Sequence, residues 1–251
     1  MPPVSTNAQP DAANVVLITG AARRIGRAIA LDMAAHGWAV AIHYRKSKVE
    51  AQALRAEIQN AGGTAEVFEA DLASLSALDR LVAQCTQALG APTCLINNAS
   101  EFLLDSVQST EEATWDTHLD INLKAPVFLA QAMARHLPDN VPGNIINIID
   151  ERVWKLTPEF FSYTISKAGL WTATRTLAQG LAPRIRVNAI GPGPVLRSVH
   201  QTDEDFAAEQ KSTLLHSGPS LQEIAAAVRF ILSSPSMTGQ MIALDGGQHL
   251  T

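Results

Sequence analysis

The stretch VVLITGAARRIG (residues 15–26) decides the fold. Val15, Val16, Leu17 and Ile18 form an unbroken apolar run, and a run without polar alternation fits a strand buried on both faces. The run ends at Thr19-Gly20, and apolar residues at helical spacing begin at Ile25. Strand, glycine turn and helix in that order make an anion site. The turn lets the backbone approach a phosphate, and the helix directs its free N–H groups at it. Placed at the first strand and first helix, Gly20, Arg24 and Ile25 point to a dinucleotide site.

Outward from this unit the alternation repeats. Strand-like runs fall at 15–19, 39–44, 64–70, 94–97, 144–149, 185–190 and 240–244. Helical spacing falls between them, at 25–36, 49–61, 75–89, 111–136, 163–181 and 221–232. The pattern predicts a single Rossmann-like α/β domain over 15–251, a doubly wound parallel sheet flanked by helices on both faces. Residues just past each strand's carboxyl end are then the candidates for chemistry. The polar stretch 195–220 follows one such end and reads as a flap over the site. Residues 1–14 are rich in Pro, Ala and polar residues, with no basic or long apolar run, and read as a flexible N-terminal tail.

A length of 251 residues, a net charge of −5 and 17% charged residues fit one globular domain. They give no support to nucleic-acid or membrane-surface binding. Cys85 and Cys94 have neither metal-type nor disulfide-framework spacing, so no metal is expected. No apolar run approaches the ~18 residues of a membrane span, and a cytoplasmic location is the expectation.

The second strand ends in His43-Tyr44-Arg45-Lys46-Ser47. A free ribose 2′-hydroxyl calls for Asp or Glu at this place. Two cations and a hydroxyl suit a 2′-phosphate instead, so NADPH is the expected cofactor, with Tyr44, Arg45, Lys46 and Ser47 at its phosphate end. His43 itself reads as a structural histidine. Further on, YTISK sets Tyr163 and Lys167 four apart, on one face of a helix. A free tyrosine has a pKa of about 10. A neighbouring ammonium stabilises the phenolate and lowers that value, and Tyr163 could then supply the proton that accompanies a hydride.

With these motifs the chain resembles the classical short-chain dehydrogenases/reductases over nearly all of residues 15–248. Besides the glycine turn and YTISK, the matching features are Asp71-Leu72, Asn97-Asn98-Ala99, Asn122, Pro192-Gly193 and Asp245-Gly246-Gly247. The resemblance implies that Tyr163 is the proton donor and that Lys167 binds the nicotinamide ribose while lowering the tyrosine's pKa. It implies that Asn122 holds a water of the proton relay, that Asp71 meets the adenine, and that Leu72, Asn98, Ala99, Ser100 and Gly193 line the cofactor. It also implies a homotetramer, with 111–136 and 163–181 as interface helices.

Three departures are informative. Arg24 stands at the middle glycine of the usual motif, Asp150 stands where a serine is usual thirteen residues before the tyrosine, and Ser100 replaces the last glycine of NNAG. Together with HYRKS, Phe102 and the LDGGQHL terminus, they resemble the pteridine reductases. That likeness implies a dihydropterin or dihydrofolate substrate. Phe102 would sandwich a flat ring against the nicotinamide. Asp150 would pair with the ring's amino and N–H edge, and Ser100 and Arg24 would bind other polar edges or the cofactor phosphate. Trp154 and residues 158–161 are candidates for the pocket wall. Two alternatives stay open: a general carbonyl or 3-oxoacyl reductase, and a catalytically silent dinucleotide-binding regulator. Asp150 weighs against the first, because an ionised carboxylate beside a developing alkoxide is unfavourable. Intact Tyr163, Lys167 and Asn122 weigh against the second.

Overall fold

A computed structural model describes residues 14–251. The tail read over 1–14 therefore lies, Asn14 apart, outside the described residues. Seven strands form one parallel sheet: β1 (Val15–Ile18), β2 (Ala39–Tyr44), β3 (Ala65–Glu69), β4 (Cys94–Asn97), β5 (Gly143–Ile148), β6 (Ile185–Pro192) and β7 (Met241–Leu244). Their order is β3-β2-β1-β4-β5-β6-β7. The order reverses between β1 and β4, and beyond the carboxyl ends there a doubly wound sheet leaves a crevice for a ligand.

Alternation inside β1 shows why the run is apolar throughout. Val16 and Ile18 pack with α1 (Arg24–Ala35), α2 (Lys48–Asn60) and α8 (Leu221–Leu232). Val15 and Leu17 face the other way, onto α3 (Leu75–Leu89), α5 (Ala125–His136) and α6 (Phe161–Leu181). Both faces are sealed, and each fully buried side chain of this size contributes roughly 1.5–3 kcal/mol of transfer free energy.

Two helical expectations are corrected. The stretch 111–136 is not one regular helix: α4 (Glu112–Leu119) leads through a π-helical turn at Asp120–Lys124 into α5. Pro126 supplies the reason, since it has no N–H for the carbonyl of Asn122 and its ring crowds that carbonyl, so the ladder widens there. The flap contains a helix, α7 (Asp203–Ser212), that hydrophobic periodicity could not reveal because none of its residues is buried. Its signal is a capping box: Thr202 accepts from the Asp205 N–H, and the Asp205 carboxylate accepts from the Thr202 N–H.

Candidate active site

The glycine turn is held by a histidine. The Gly20 N–H donates to His43 Nδ1 at 3.0 Å, so the ring's proton sits on Nε2, which donates to the Ala70 carbonyl at 3.1 Å. Burial pushes His43 down to about 4, outweighing the Ala70 hydrogen bond, which raises it. The unfolded chain therefore takes up this proton near pH 6.5 and the folded chain only near 4. His43 thus stabilises the fold above pH 6.5, and that contribution, about 3 kcal/mol, is lost as pH falls through this window. Urea unfolding at pH 7 and pH 4.5 should show the loss, and His43→Asn should flatten the dependence; parallel slopes for the two proteins would refute it.

Around this turn, a cavity of about 750 Å³ opens at the carboxyl ends of the strands. Gly20 takes φ +62°, and a Cβ on Gly26 would lie 2.5 Å from the Gly20 carbonyl, so both positions need glycine for the turn to close. The cavity wall contains Gly20, Arg24 and Ile25 from the turn and Tyr44, Arg45, Lys46 and Ser47 from the end of β2. It continues through Leu72, Asn98, Ala99, Ser100 and Phe102 to Asp150, Tyr163, Lys167 and Gly193. Asp71 stands apart, in a shallow recess shared with Arg45, where its carboxylate accepts from the Ala73 N–H at 3.1 Å.

The centre of the site is a pair. Tyr163 Oη donates to Asp150 Oδ2 at 2.7 Å, and Asp150 Oδ1 accepts from the Arg152 N–H at 3.0 Å. Burial raises Asp150 above the usual carboxylate range against the pull of the hydrogen bonds from Arg152 and Tyr163. Burial, with the Asp150 charge and hydrogen bond behind it, holds Tyr163 well above 10. Burial and Asp150 thus oppose the lowering of the tyrosine expected from Lys167. Lys167 Nζ donates to the Ile148 carbonyl at 3.0 Å, and burial lowers it to about 8 although Asp150 opposes the shift. Beneath the pair, a buried chain from Asn97 to Asn147 to Thr174, with both hydrogen bonds at 2.8 Å, locks α6 to the sheet.

The Asn122 side chain is fully engaged by protein. Its amide donates to the Glu101 carbonyl and Ser166 Oγ, both at 3.0 Å, and its Oδ1 accepts from Ser100 Oγ and the Glu101 N–H at 3.1 and 2.9 Å. An amide side chain has two donors and two lone pairs. All four positions are taken by protein, so a relay water held by Asn122 would have to meet its backbone carbonyl, which Pro126 leaves without the usual helical N–H. The side chain pins the Ser100–Glu101 segment to α6.

Phe102 is not a bare ring facing the cavity. Phe160 stacks on it, with centroids 4.1 Å apart and planes 9° apart, and Tyr163 meets it edge-on at 4.7 Å. Phe160 reaches this place with a left-handed backbone (φ +55°), a conformation that non-glycine residues adopt at a cost of roughly 1–2 kcal/mol. Arg24 is likewise left-handed (φ +53°), which accounts for glycine being the usual occupant there. Its guanidinium donates to the Leu196 and Arg197 carbonyls at 3.1 and 3.0 Å, tying the turn to the flap. From the flap, His200 Nε2 donates to the Phe102 carbonyl at 3.0 Å. The segment 195–220 therefore forms a wall of the cavity.

Sequence reasoning missed Glu151, His200, Glu209 and Gln248, which line the same cavity. Burial pushes Glu151 up to about 7, with the Asp150 charge adding to the shift, and among the described residues its Oε2 and Gln248 Oε1 are buried without a hydrogen-bond partner. Adjacency to Asp150 was the available signal for Glu151. Trp154, Pro158, Glu159 and Phe161, read as wall candidates, lie outside the lining, whereas Phe160 is in it.

A doubly wound sheet, a glycine turn at its first crossover and a buried tyrosine beside a lysine define an oxidoreductase of the Rossmann type. The chain belongs to the short-chain dehydrogenase/reductase family: a family model described as enoyl-(acyl carrier protein) reductase matches residues 20–249. A 3-oxoacyl-[acyl-carrier-protein] reductase of Synechocystis sp. is 31% identical over 239 residues, 94% of this chain and 96% of the relative. Closer in sequence is the crystal structure of FolM alternative dihydrofolate reductase 1 from Brucella suis in complex with NADP. It is 51% identical, with a TM-score of 0.93 over 95% of this chain and 96% of that one. The Brucella canis counterpart, also complexed with NADP, is 51% identical with a TM-score of 0.93, covering 95% of this chain and 94% of its own.

Proposed function

We propose that the chain is an NADPH-dependent reductase of dihydropterins, taking a ring C=N to CH–NH. The observation that carries this is the Tyr163–Asp150 hydrogen bond at 2.7 Å, in one cavity with Ser100 and Phe102. Likeness to the FolM structures at 51% identity supports it. The cofactor fits the cavity on two observations: the turn at Gly20 and Gly26 has no room for a side chain at the latter, and Arg45, Lys46 and Ser47 form the cavity's edge beyond β2. Gly20 and Ile25 would hold its pyrophosphate, Arg45 and Lys46 its 2′-phosphate, and Lys167 its nicotinamide ribose. When bound, it supplies the hydride.

The chain's own residues supply the rest. Phe102, backed by Phe160, holds the flat ring, while Ser100 and Asp150 meet its polar edge. Tyr163 stays a phenol at neutral pH because its environment raises its pKa, so it holds the proton that the ring nitrogen needs. Asp150, itself pushed toward the neutral form, shares that proton and can replace it; the two titrate as a unit. Hydride to carbon and proton to nitrogen then balance the reduction.

A carbonyl reductase remains the second reading, favoured by the 3-oxoacyl reductase relatives at 31% identity. Asp150 opposes it, since a developing alkoxide beside a carboxylate is destabilised unless the carboxyl is protonated. Product analysis tests the proposal: anaerobic incubation with NADPH and a 7,8-dihydropterin should yield the tetrahydropterin, one per NADPH oxidised. Absence of that product at full enzyme loading would overturn it.

The cofactor assignment has its own test. Arg45→Ala with Lys46→Ala should raise KM for NADPH by roughly 10–100-fold, through loss of charge-assisted hydrogen bonds, and change KM for NADH by less than about twofold. Equal effects on both would remove the 2′-phosphate from the account. Arg45 pairs with Glu101 at 2.7 Å across the cavity mouth, so on binding a 2′-phosphate Arg45 would exchange one anionic partner for another.

A further inference from the structure

Three buried polar side chains behind the cavity join the loop after β4 to the start of α6. Asp105, His118 and Ser162 are 4%, 0% and 0% exposed, and none lines the cavity. The Leu103 N–H donates to His118 Nε2 at 3.0 Å, so Nε2 is the unprotonated nitrogen of the neutral ring and Nδ1 carries the hydrogen. His118 Nδ1 then donates to Ser162 Oγ at 2.7 Å, and the Ser162 hydroxyl donates to Asp105 Oδ2 at 2.5 Å. Asp105 also accepts the Ser162 N–H, at 3.2 Å to Oδ1, and the Thr110 hydroxyl.

Serine, histidine and carboxylate here are not a nucleophilic triad. The serine's proton is directed to the carboxylate and the histidine donates to the serine, so nothing draws a proton from Oγ. Burial lowers His118 despite the Asp105 charge, which keeps the ring neutral. Burial alone would raise Asp105, but the hydrogen bonds from Ser162 and Thr110 outweigh it and keep the carboxyl ionised. Every member is paired, and a fully satisfied buried network fixes one arrangement of the chain segments it joins.

Those segments carry the site. Leu103 follows Phe102 directly and Ser162 precedes Tyr163 directly. His118 also packs edge-on against the Tyr163 ring at 5.9 Å, and the Phe161 N–H donates to the Asp105 carbonyl at 3.4 Å. On the far side of Phe102, Asn122 holds Glu101. The stacking ring is therefore fixed from both flanks, and the His118 side couples it to Ser162, the residue directly before the catalytic tyrosine.

We propose that Asp105, Ser162 and His118 are positioning residues that set the placement of Phe102 against Tyr163, and with it the register of the substrate ring over the proton donor. This rests on Phe102 being the stacking surface, as given under Proposed function.

A double-mutant cycle on the full-length enzyme separates the two claims. Ser162→Ala should raise KM for the dihydropterin and lower kcat, about tenfold together in kcat/KM, with KM for NADPH unchanged within twofold. Phe102→Ala should show its own larger loss, and the double variant should lose little beyond Phe102→Ala alone. His118→Asn keeps a donor toward Ser162 but drops the acceptor for Leu103, and should reproduce the KM rise even if Ser162→Ala folds poorly. A silent Phe102→Ala would end the stacking assignment itself. With Phe102→Ala impaired, an additive double variant, or single variants that lower Tm without moving KM for the dihydropterin, would overturn the positioning role alone.

Discussion

Tyr163→Phe should lower dihydropterin turnover by roughly 10²–10⁴-fold, the range over which general-acid catalysis acts, while NADPH binds within twofold of its normal affinity. The substitution removes one oxygen and little else. The ring stays 5% exposed in its slot, and the edge contacts to Phe102 at 4.7 Å and His118 at 5.9 Å need only the ring. What disappears is the donor to Asp150. Asp150 Oδ2 loses its partner and Oδ1 keeps the Arg152 N–H. Fluorescence titration with NADPH and single-turnover kinetics would separate binding from proton delivery. Turnover within threefold of the parent would take Tyr163 out of the mechanism.

Asp150→Ser restores the residue usual in the wider family, and it should lower kcat/KM for dihydropterins by about 100-fold, in keeping with loss of a proton-sharing group and its hydrogen bonds to the ring. Two effects combine. The substrate loses a carboxyl that meets its polar edge, and Tyr163 loses both the charge and the hydrogen bond that add to burial in raising its pKa. Asp150→Asn distinguishes these from mere shape, because it keeps an acceptor for the Arg152 N–H but cannot store a proton. If proton sharing matters, the asparagine variant is as impaired as the serine one. The pH profile carries the sign: the parent needs the Asp150–Tyr163 pair protonated, so kcat/KM falls as pH rises through the pair's raised ionisation, and Asp150→Asn should lack that limb. An asparagine variant of normal activity would reduce Asp150 to a turn cap.

The sheet was legible because its strands are sealed on both sides: runs such as Val15–Ile18 have no polar residue to misplace. The α7 helix was not, because none of its residues is buried and its start is marked only by Thr202 and Asp205. The π-turn before α5 could have been anticipated from Pro126, four residues after Asn122. At the site, Tyr163, Lys167, Asp150 and the glycine turn stood out by spacing, and all of them line one cavity. The sign of the tyrosine's shift did not. Spacing of four makes Lys167 its obvious neighbour, yet burial and a carboxylate thirteen positions earlier dominate its environment. Asn122 was placed by motif, whereas its four hydrogen bonds are a matter of packing. His200 and the His118–Ser162–Asp105 network depend on contacts between segments far apart in the chain, with His118 and Ser162 44 positions apart, and no local pattern encodes them.

Under the proposed function Asp150 separates a pterin site from a ketone site, and a substrate panel tests that most directly. NADPH oxidation is followed at 340 nm with dihydromonapterin, dihydrobiopterin and dihydrofolate beside simple ketones and a 3-oxoacyl thioester. The account predicts turnover on dihydropterins and none above background on the carbonyl compounds. Turnover confined to the carbonyl compounds would contradict it, leaving the fold, the dinucleotide cavity and Tyr163 in place but assigning Asp150 no part in choosing the substrate.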